Sequence, residues 1–187
     1  MKSPSQFIVS PLNKRRYNNS KKIGGKDIIV STSQEDVSFS NREAEVIELP
    51  LNYKGEIKKG DILLVHHNVF KYYYDMKGRQ KSGKSFLKDD YFLVDMEQFF
   101  LYKQNNEWKT YGRYCFVKPI PKTESIIFKN TNNEPLMGEM VYVNEYLKSK
   151  GLIKGDKVSF VPDSEYEFRI DNEKLYRMFD HQITIKL

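Results

Sequence analysis

Short apolar runs alternate along this chain with polar turn clusters. Phe7-Ile8-Val9, Ile28-Ile29-Val30, Val46-Ile47, Ile62-Leu63-Leu64-Val65, Tyr91-Phe92-Leu93-Val94 and Phe99-Phe100-Leu101-Tyr102 lie in the first part. Tyr114-Cys115-Phe116-Val117, Ile126-Ile127-Phe128, Met140-Val141-Tyr142-Val143, Val158-Ser159-Phe160-Val161, Phe168-Arg169-Ile170 and Ile183-Thr184-Ile185 follow. Most are β-branched or aromatic and about four residues long, as strands prefer. Gly-Lys-Asp, Lys-Gly-Asp and Asp-Asn-Glu clusters punctuate them. Helical spacing is scarce, and Asp89–Phe100 and Asn144–Lys150 carry the best of it. The pattern predicts an all-β chain, folded as a barrel or sandwich.

The runs also recur in order. Ile8-Val9-Ser10-Pro11-Leu12 is echoed 108 residues later by Phe116-Val117-Lys118-Pro119-Ile120. Ala44-Glu45-Val46-Ile47 is echoed by Gly138-Glu139-Met140-Val141. Ile57-Lys58-Lys59-Gly60-Asp61-Ile62 matches Ile153-Lys154-Gly155-Asp156-Lys157-Val158, with Gly60 and Gly155 offset by 95. Gln98-Phe99-Phe100-Leu101 matches Gln182-Ile183-Thr184-Ile185, offset by 84. Two copies of one β unit are expected, residues 1–105 and 111–187, joined near Asn105–Tyr111. The offset falls from 108 to 95 and then to 84, so the first copy holds 13 and then 11 extra residues. They predict a long mobile loop over 14–41 and an inserted hairpin over 76–90. The repeated Lys-Gly-Asp step, Lys59-Gly60-Asp61 and Lys154-Gly155-Asp156, reads as a tight turn. Its Gly takes positive φ, and its Asp accepts from nearby backbone N–H groups.

Composition narrows this picture. At 187 residues the chain holds one mid-sized or two small domains. A hydrophobic content of 39%, with 13 Tyr and 12 Phe, is enough for a packed core. The net charge of +6 permits nucleic-acid contact without demanding it. The single Cys115 excludes an internal disulfide and a Cys-rich zinc site. No apolar run approaches the roughly 20 residues of a membrane span, and Met1–Gln6 does not read as a signal peptide. A soluble, cytoplasmic protein is expected.

Four features bear on chemistry. Gly78-Arg79-Gln80-Lys81-Ser82-Gly83-Lys84-Ser85 fits the phosphate-loop pattern G-x-x-x-x-G-K-S. It lacks a convincing buried strand before it, so a solvated basic hairpin is the expected role. Lys77–Lys88 holds five basic residues and no acid beside Tyr72-Tyr73-Tyr74, a composition able to bind single-stranded nucleic acid. Alternate tyrosines on a strand are more simply a core face, and nucleic acid is not the expected partner. His66 and His67, neighbours on a predicted strand, should point to opposite faces and cannot share a metal; His181 is alone. Cys115 reads as a buried thiol. No catalytic residue, cofactor or metal is expected, and the chain is not expected to be an enzyme.

These residues resemble the GroES family of co-chaperonins. Cys115-Phe116-Val117-Lys118-Pro119 is similar to the family's opening strand, and Gly138-Glu139-Met140-Val141 to its Gly-Glu-Val strand. Ile153–Phe160 is similar to its Val-Gly-Asp-x-Val strand, Ile170–Tyr176 to its Ile-Asp-Asn-Glu turn, and Ile183-Thr184-Ile185 to its closing strand. In the first copy, Gly24-Gly25-Lys26-Asp27-Ile28-Ile29-Val30 resembles the Gly-Gly-Ile-Val-Leu mobile loop, with Lys26-Asp27 added. The tandem arrangement is similar to the double-domain co-chaperonins of chloroplasts, and the Lys-, Tyr- and Asn-rich composition points to a bacteriophage-encoded relative. The resemblance implies two fused irregular barrels in a homo-oligomeric ring that caps a GroEL-type chaperonin. It implies docking through Ile28, Ile29 and Val30 behind Gly24 and Gly25, with Ile126, Ile127 and Phe128 as a second docking segment. The gaps where the family's roof hairpin belongs, Glu48–Glu56 and Asn144–Gly151, are short, which implies a low or open dome. A structural or assembly protein with the same barrels is the alternative, and a nucleic-acid-binding β-barrel is a third.

Overall fold

The computed structural model describes residues 1–18, 20–29, 39–121 and 133–187. Among these the chain is all-β apart from one short α-helix and brief single turns. It divides into two compact units, Met1–Glu107 and Trp108–Leu187.

The first unit carries β1 (Phe7–Pro11), β2 (Ser20–Ile23), β3 (Lys26–Ile29), β4 (Glu43–Glu48), β5 (Ile62–Val65), β6 (Tyr72–Tyr74), β7 (Gln80–Ser82), β8 (Phe86–Lys88), β9 (Tyr91–Val94) and β10 (Phe99–Gln104). A turn through Asn105 and Asn106, both at positive φ, leads into β11 (Glu107–Thr110), where the boundary between the units falls. The main sheet has the order β11-β10-β5-β4-β1-β9-β8. β2–β3 and β6–β7 are separate two-stranded hairpins. The core of the sheet is aromatic. Phe7 meets Phe99 edge-on at 5.4 Å and Phe70 meets Phe92 at 4.9 Å, geometries that favour ring pairs beyond simple burial.

The second unit carries β12 (Tyr114–Pro121), β13 (Asn133–Tyr142), α1 (Glu145–Ser149), β14 (Lys157–Phe160), β15 (Tyr166–Ile170), β16 (Glu173–Phe179) and β17 (Ile183–Lys186). Its sheet runs β17-β14-β13-β12-β16-β15. This is the succession β10-β5-β4-β1-β9-β8 of the first unit. The registers agree as well. Val9 pairs with Val46 and Val117 with Met140, each just after a bulge that follows Ile8 or Phe116. Phe99 pairs with Val65 and Ile183 with Phe160, each beside a second bulge. A bulge re-aims a strand at a fixed point, so these shared irregularities place corresponding side chains alike.

The Gly-Asp turns are also the same. Gly60 (φ +86°) and Gly155 (φ +93°) take the left-handed conformation that glycine adopts without a Cβ penalty. The Asp61 carboxylate accepts from the Lys58 N–H at 2.8 Å, and the Asp156 carboxylate accepts from the Ile153 N–H at 2.8 Å.

Two sequence expectations change. Asp89–Phe100 is not helical; it forms β9, a turn and the start of β10, because Phe92, Val94, Phe99 and Phe100 are all buried in the sheet. The paired strands of the insertion are Tyr72–Tyr74 and Gln80–Ser82, so the hairpin begins upstream of residue 76. Phe86–Val94 belongs instead to the main sheet, as β8 and β9.

The second unit encloses Cys115, Val117, Met140, Leu147, Val158, Phe160 and Met178 in one cluster. The helix α1 is held beside it by a buried polar chain. The Asn144 side-chain Oδ1 caps the helix by accepting from the Leu147 N–H at 2.9 Å. Its amide donates to the buried Asp180 carboxylate at 3.2 Å. Arg113 donates to the same carboxylate at 2.7 Å. Among the described residues, no helix is long and apolar enough to cross a membrane.

Candidate functional site

The residues singled out for docking fall on the β2–β3 hairpin. β2 and β3 are joined by a two-residue turn, Gly24-Gly25, and Ile23 pairs with Lys26 across it. Both glycines have positive φ, +59° and +80°. Two successive left-handed residues are what a tight hairpin turn matching strand twist requires, and Gly-Gly supplies them. A Cβ at either position would meet open space, so positive φ and not crowding is what calls for glycine here.

Ile28 lies on β3, opposite Lys21, and is 45% exposed. Among the described residues β3 pairs with β2 alone, and the Ile28 side chain is not buried in a core. Ile29 ends β3 opposite Ser20. Val30 lies outside the described residues, as do Ile126, Ile127 and Phe128.

A two-stranded hairpin is marginal by itself in water, and the stem of this one is clasped. Tyr17 bridges to Ser40, the Asn18 N–H donates to Phe39 C=O at 2.7 Å, and the Asn41 N–H donates to Arg16 C=O at 3.0 Å. The buried Asn41 side chain closes the base. Its amide donates to Leu12 C=O at 3.1 Å and Arg15 C=O at 2.6 Å, and its oxygen accepts from the Glu43 N–H at 3.0 Å.

The stem also meets the other insertion. Tyr17 packs edge-on against Tyr72 at 5.2 Å, and burial pushes its phenol up. Arg16 donates to Ser82 Oγ at 2.9 Å and lies over the rings of Phe92 and Phe86, at 4.8 and 5.2 Å. The two segments that distinguish the first sequence copy thus share a contact.

The remaining candidates resolve differently. The phosphate-loop match over 78–85 does not build a phosphate cradle. It runs from a turn through β7 toward β8, with no helix. Several amides in and beside it are committed to protein acceptors. The Lys77 and Arg79 N–H groups donate to the Asp75 carboxylate, both at 2.9 Å, the Gly78 N–H to Asp75 C=O, and the Gly83 N–H to Lys71 C=O.

His66 and His67 are not on a strand. β5 ends at Val65, the chain turns, and the two rings face one another at 4.1 Å, which corrects the expectation of opposite faces. Burial, followed by the charges of His66, Arg42 and Lys71, brings His67 down to about 4. Such a cationic setting does not favour a metal ion. Among the described residues no three His, Cys, Asp or Glu side chains gather as a metal site would need.

Cys115 is fully buried, and burial pushes its thiol up to about 12. It is a core thiol rather than a nucleophile. Tyr73 and Tyr74 are 53% and 56% exposed, so the tyrosine run is not a core face either.

No family model matches the chain, and no curated protein matches it.

Proposed function

We propose that this protein is a GroES-type co-chaperonin, two fused irregular barrels that assemble into a ring and cap a GroEL-type chaperonin. The observation that carries this reading is the β2–β3 hairpin. It stands apart from the main sheet, turns on Gly24-Gly25 and leaves Ile28 exposed. It falls between the first two strands of the main sheet in chain order, β1 and β4, with the Gly-Gly and apolar signature of a chaperonin-docking loop. Ile28, Ile29 and Val30 dock on an apolar groove of the chaperonin, and Ile126, Ile127 and Phe128 form a second docking segment.

The energetics suit a lid that must come off. A small apolar contact that orders part of a loop gives weak binding per site, because ordering opposes burial. Several such contacts around a ring restore avidity. Ring formation finds support in β17. It forms an edge of its sheet and exposes Thr184, Ile185 and Lys186, and an open strand edge is a surface for pairing with a further copy.

The test is co-elution with a GroEL-type chaperonin under ATP, for the wild type and for Ile28→Ser/Ile29→Ser/Val30→Ser. Wild-type binding that is lost in the triple variant is the expected result. Failure of the wild type to bind its native host's chaperonin overturns the reading, and binding that survives in the variant moves the docking site elsewhere.

A further inference from the structure

We infer that the β6–β7 hairpin, with the strand leading out of it, is a binding surface for single-stranded nucleic acid. Residues 71–88 contain Lys71, Lys77, Arg79, Lys81, Lys84 and Lys88 against the single acid Asp75. That segment has a net charge of +5, nearly the whole of the chain's +6. Asp75 is occupied: it pairs with Arg79 at 3.1 Å and holds the turn through backbone N–H groups. Lys77, Lys81, Lys84 and Lys88 are exposed and in no ion pair among the described residues. A set of like charges left unpaired costs self-repulsion, which a polyanion relieves.

Exposed aromatic side chains accompany the charge. The hairpin is its own two-stranded sheet, so both of its faces meet solvent in part. Tyr73 stands opposite Lys81, Tyr74 opposite Gln80, and Tyr72 opposite Ser82. Cross-strand partners share a face, so Tyr73 and Lys81 lie on one face of the hairpin, while Tyr74 and Tyr72 lie on the other.

A strand carrying half-exposed rings beside lysines offers what an unpaired nucleic-acid strand needs: π-faces for bases and cations for phosphates. An acidic protein surface would use the lysines but not the rings. A bilayer would use apolar side chains at the tip, where Met76 stands alone among charged and polar neighbours. Because the turn amides are already bonded within the hairpin, phosphates are met by side chains along a track rather than in a closed pocket.

The experiment is fluorescence anisotropy of the full chain with labelled oligo(dT) and oligo(rU) of about 16 nucleotides, titrated from about 50 to about 200 mM salt. The expected result is binding whose logarithm falls linearly with log salt, by about 0.7 for each phosphate neutralised. Lys77→Gln/Lys81→Gln/Lys84→Gln should make that slope shallower by about 2. Tyr73→Ala/Tyr74→Ala should leave the slope intact and weaken binding by about tenfold or more. These side chains are exposed, so both variants should keep the fold, checked by circular dichroism. Binding to neither oligonucleotide overturns the inference, as does binding that both variants retain. Equal affinity for inorganic polyphosphate with no effect of the tyrosine variant reduces the site to bare charge and overturns it too. Preference for phosphatidylglycerol vesicles over both oligonucleotides does the same. Ile28→Ser/Ile29→Ser/Val30→Ser should bind the oligonucleotides normally, which keeps this result separate from chaperonin docking.

Discussion

Gly138 and Ala44 occupy corresponding positions in the two sheets, yet only one of them carries a Cβ. Ala44 pairs with Pro11 and is fully buried; Gly138 pairs with Pro119. A Cβ added at Gly138 would overlap Val117 Cγ1 and lie 2.7 Å from Lys118 C=O. Neither neighbour yields easily. Val117 is β-branched, fully buried and enclosed by the second unit's cluster, and Lys118 belongs to the β12–β13 ladder. Gly138→Ala should therefore act as an overpacking substitution and cost about 2 kcal/mol. Native-state hydrogen exchange is the suitable assay, because a chain of two units need not unfold in one step. The Met140 N–H, bonded to Asp156 C=O, reports the second unit, and the Val46 N–H, bonded to Asp61 C=O, reports the first. A loss of about 2 kcal/mol corresponds to roughly thirtyfold faster exchange at Met140, with Val46 unchanged. Val117→Ala/Gly138→Ala should recover part of the loss and no more, since the backbone carbonyl remains. A change at Met140 equivalent to less than about 0.5 kcal/mol, or strict additivity of the two substitutions, would refute the packing argument.

Two further outcomes follow from the same geometry. His67 is held at about 4 in the folded chain by burial and neighbouring cations, against about 6.5 when unfolded. Its contribution to stability is therefore present above about pH 6.5 and is lost as pH falls toward 4, because the unfolded state binds the proton first; His67→Gln should flatten the stability profile across that window, read by urea denaturation. Asn41→Ala removes the three part-buried hydrogen bonds at the base of the β2–β3 stem, at a cost of about 2 kcal/mol; faster hydrogen exchange at Asn18 than in the wild type checks it.

Most of the sheet was legible because its strands are short apolar runs, and periodicity reads such runs directly. β16 was not, although it lies between β12 and β15 and pairs with both. Its sequence, Glu-Lys-Leu-Tyr-Arg-Met-Phe, buries Leu175 and Met178, three apart, so it has no simple alternation. It also carries Arg177, which is kept within the sheet by the rings of Tyr166, Tyr114 and Phe179 at 5.0 to 5.4 Å. A cation paid for by aromatic faces looks polar in sequence and is half-buried in structure. The signal that would have found β16 is the repeat: β9 displaced by 84, the offset of Gln98 to Gln182, falls on Leu175–Met178.

The same comparison separates scaffold from candidate site. Where the two units agree, in strand order, bulges and Gly-Asp turns, the residues answer to packing and backbone geometry, and those constraints repeat with the fold. Where they differ, a constraint common to both cannot be the cause. The β2–β3 and β6–β7 hairpins have no counterpart among the described strands of the second unit. They hold the exposed Ile28, Tyr73, Tyr74 and Met76 and most of the net charge. Unpaired like charges oppose the compact state rather than support it. The two hairpins touch through Arg16 and Tyr17, so the docking and nucleic-acid surfaces proposed above lie side by side on segments that the second unit's described strands do not repeat.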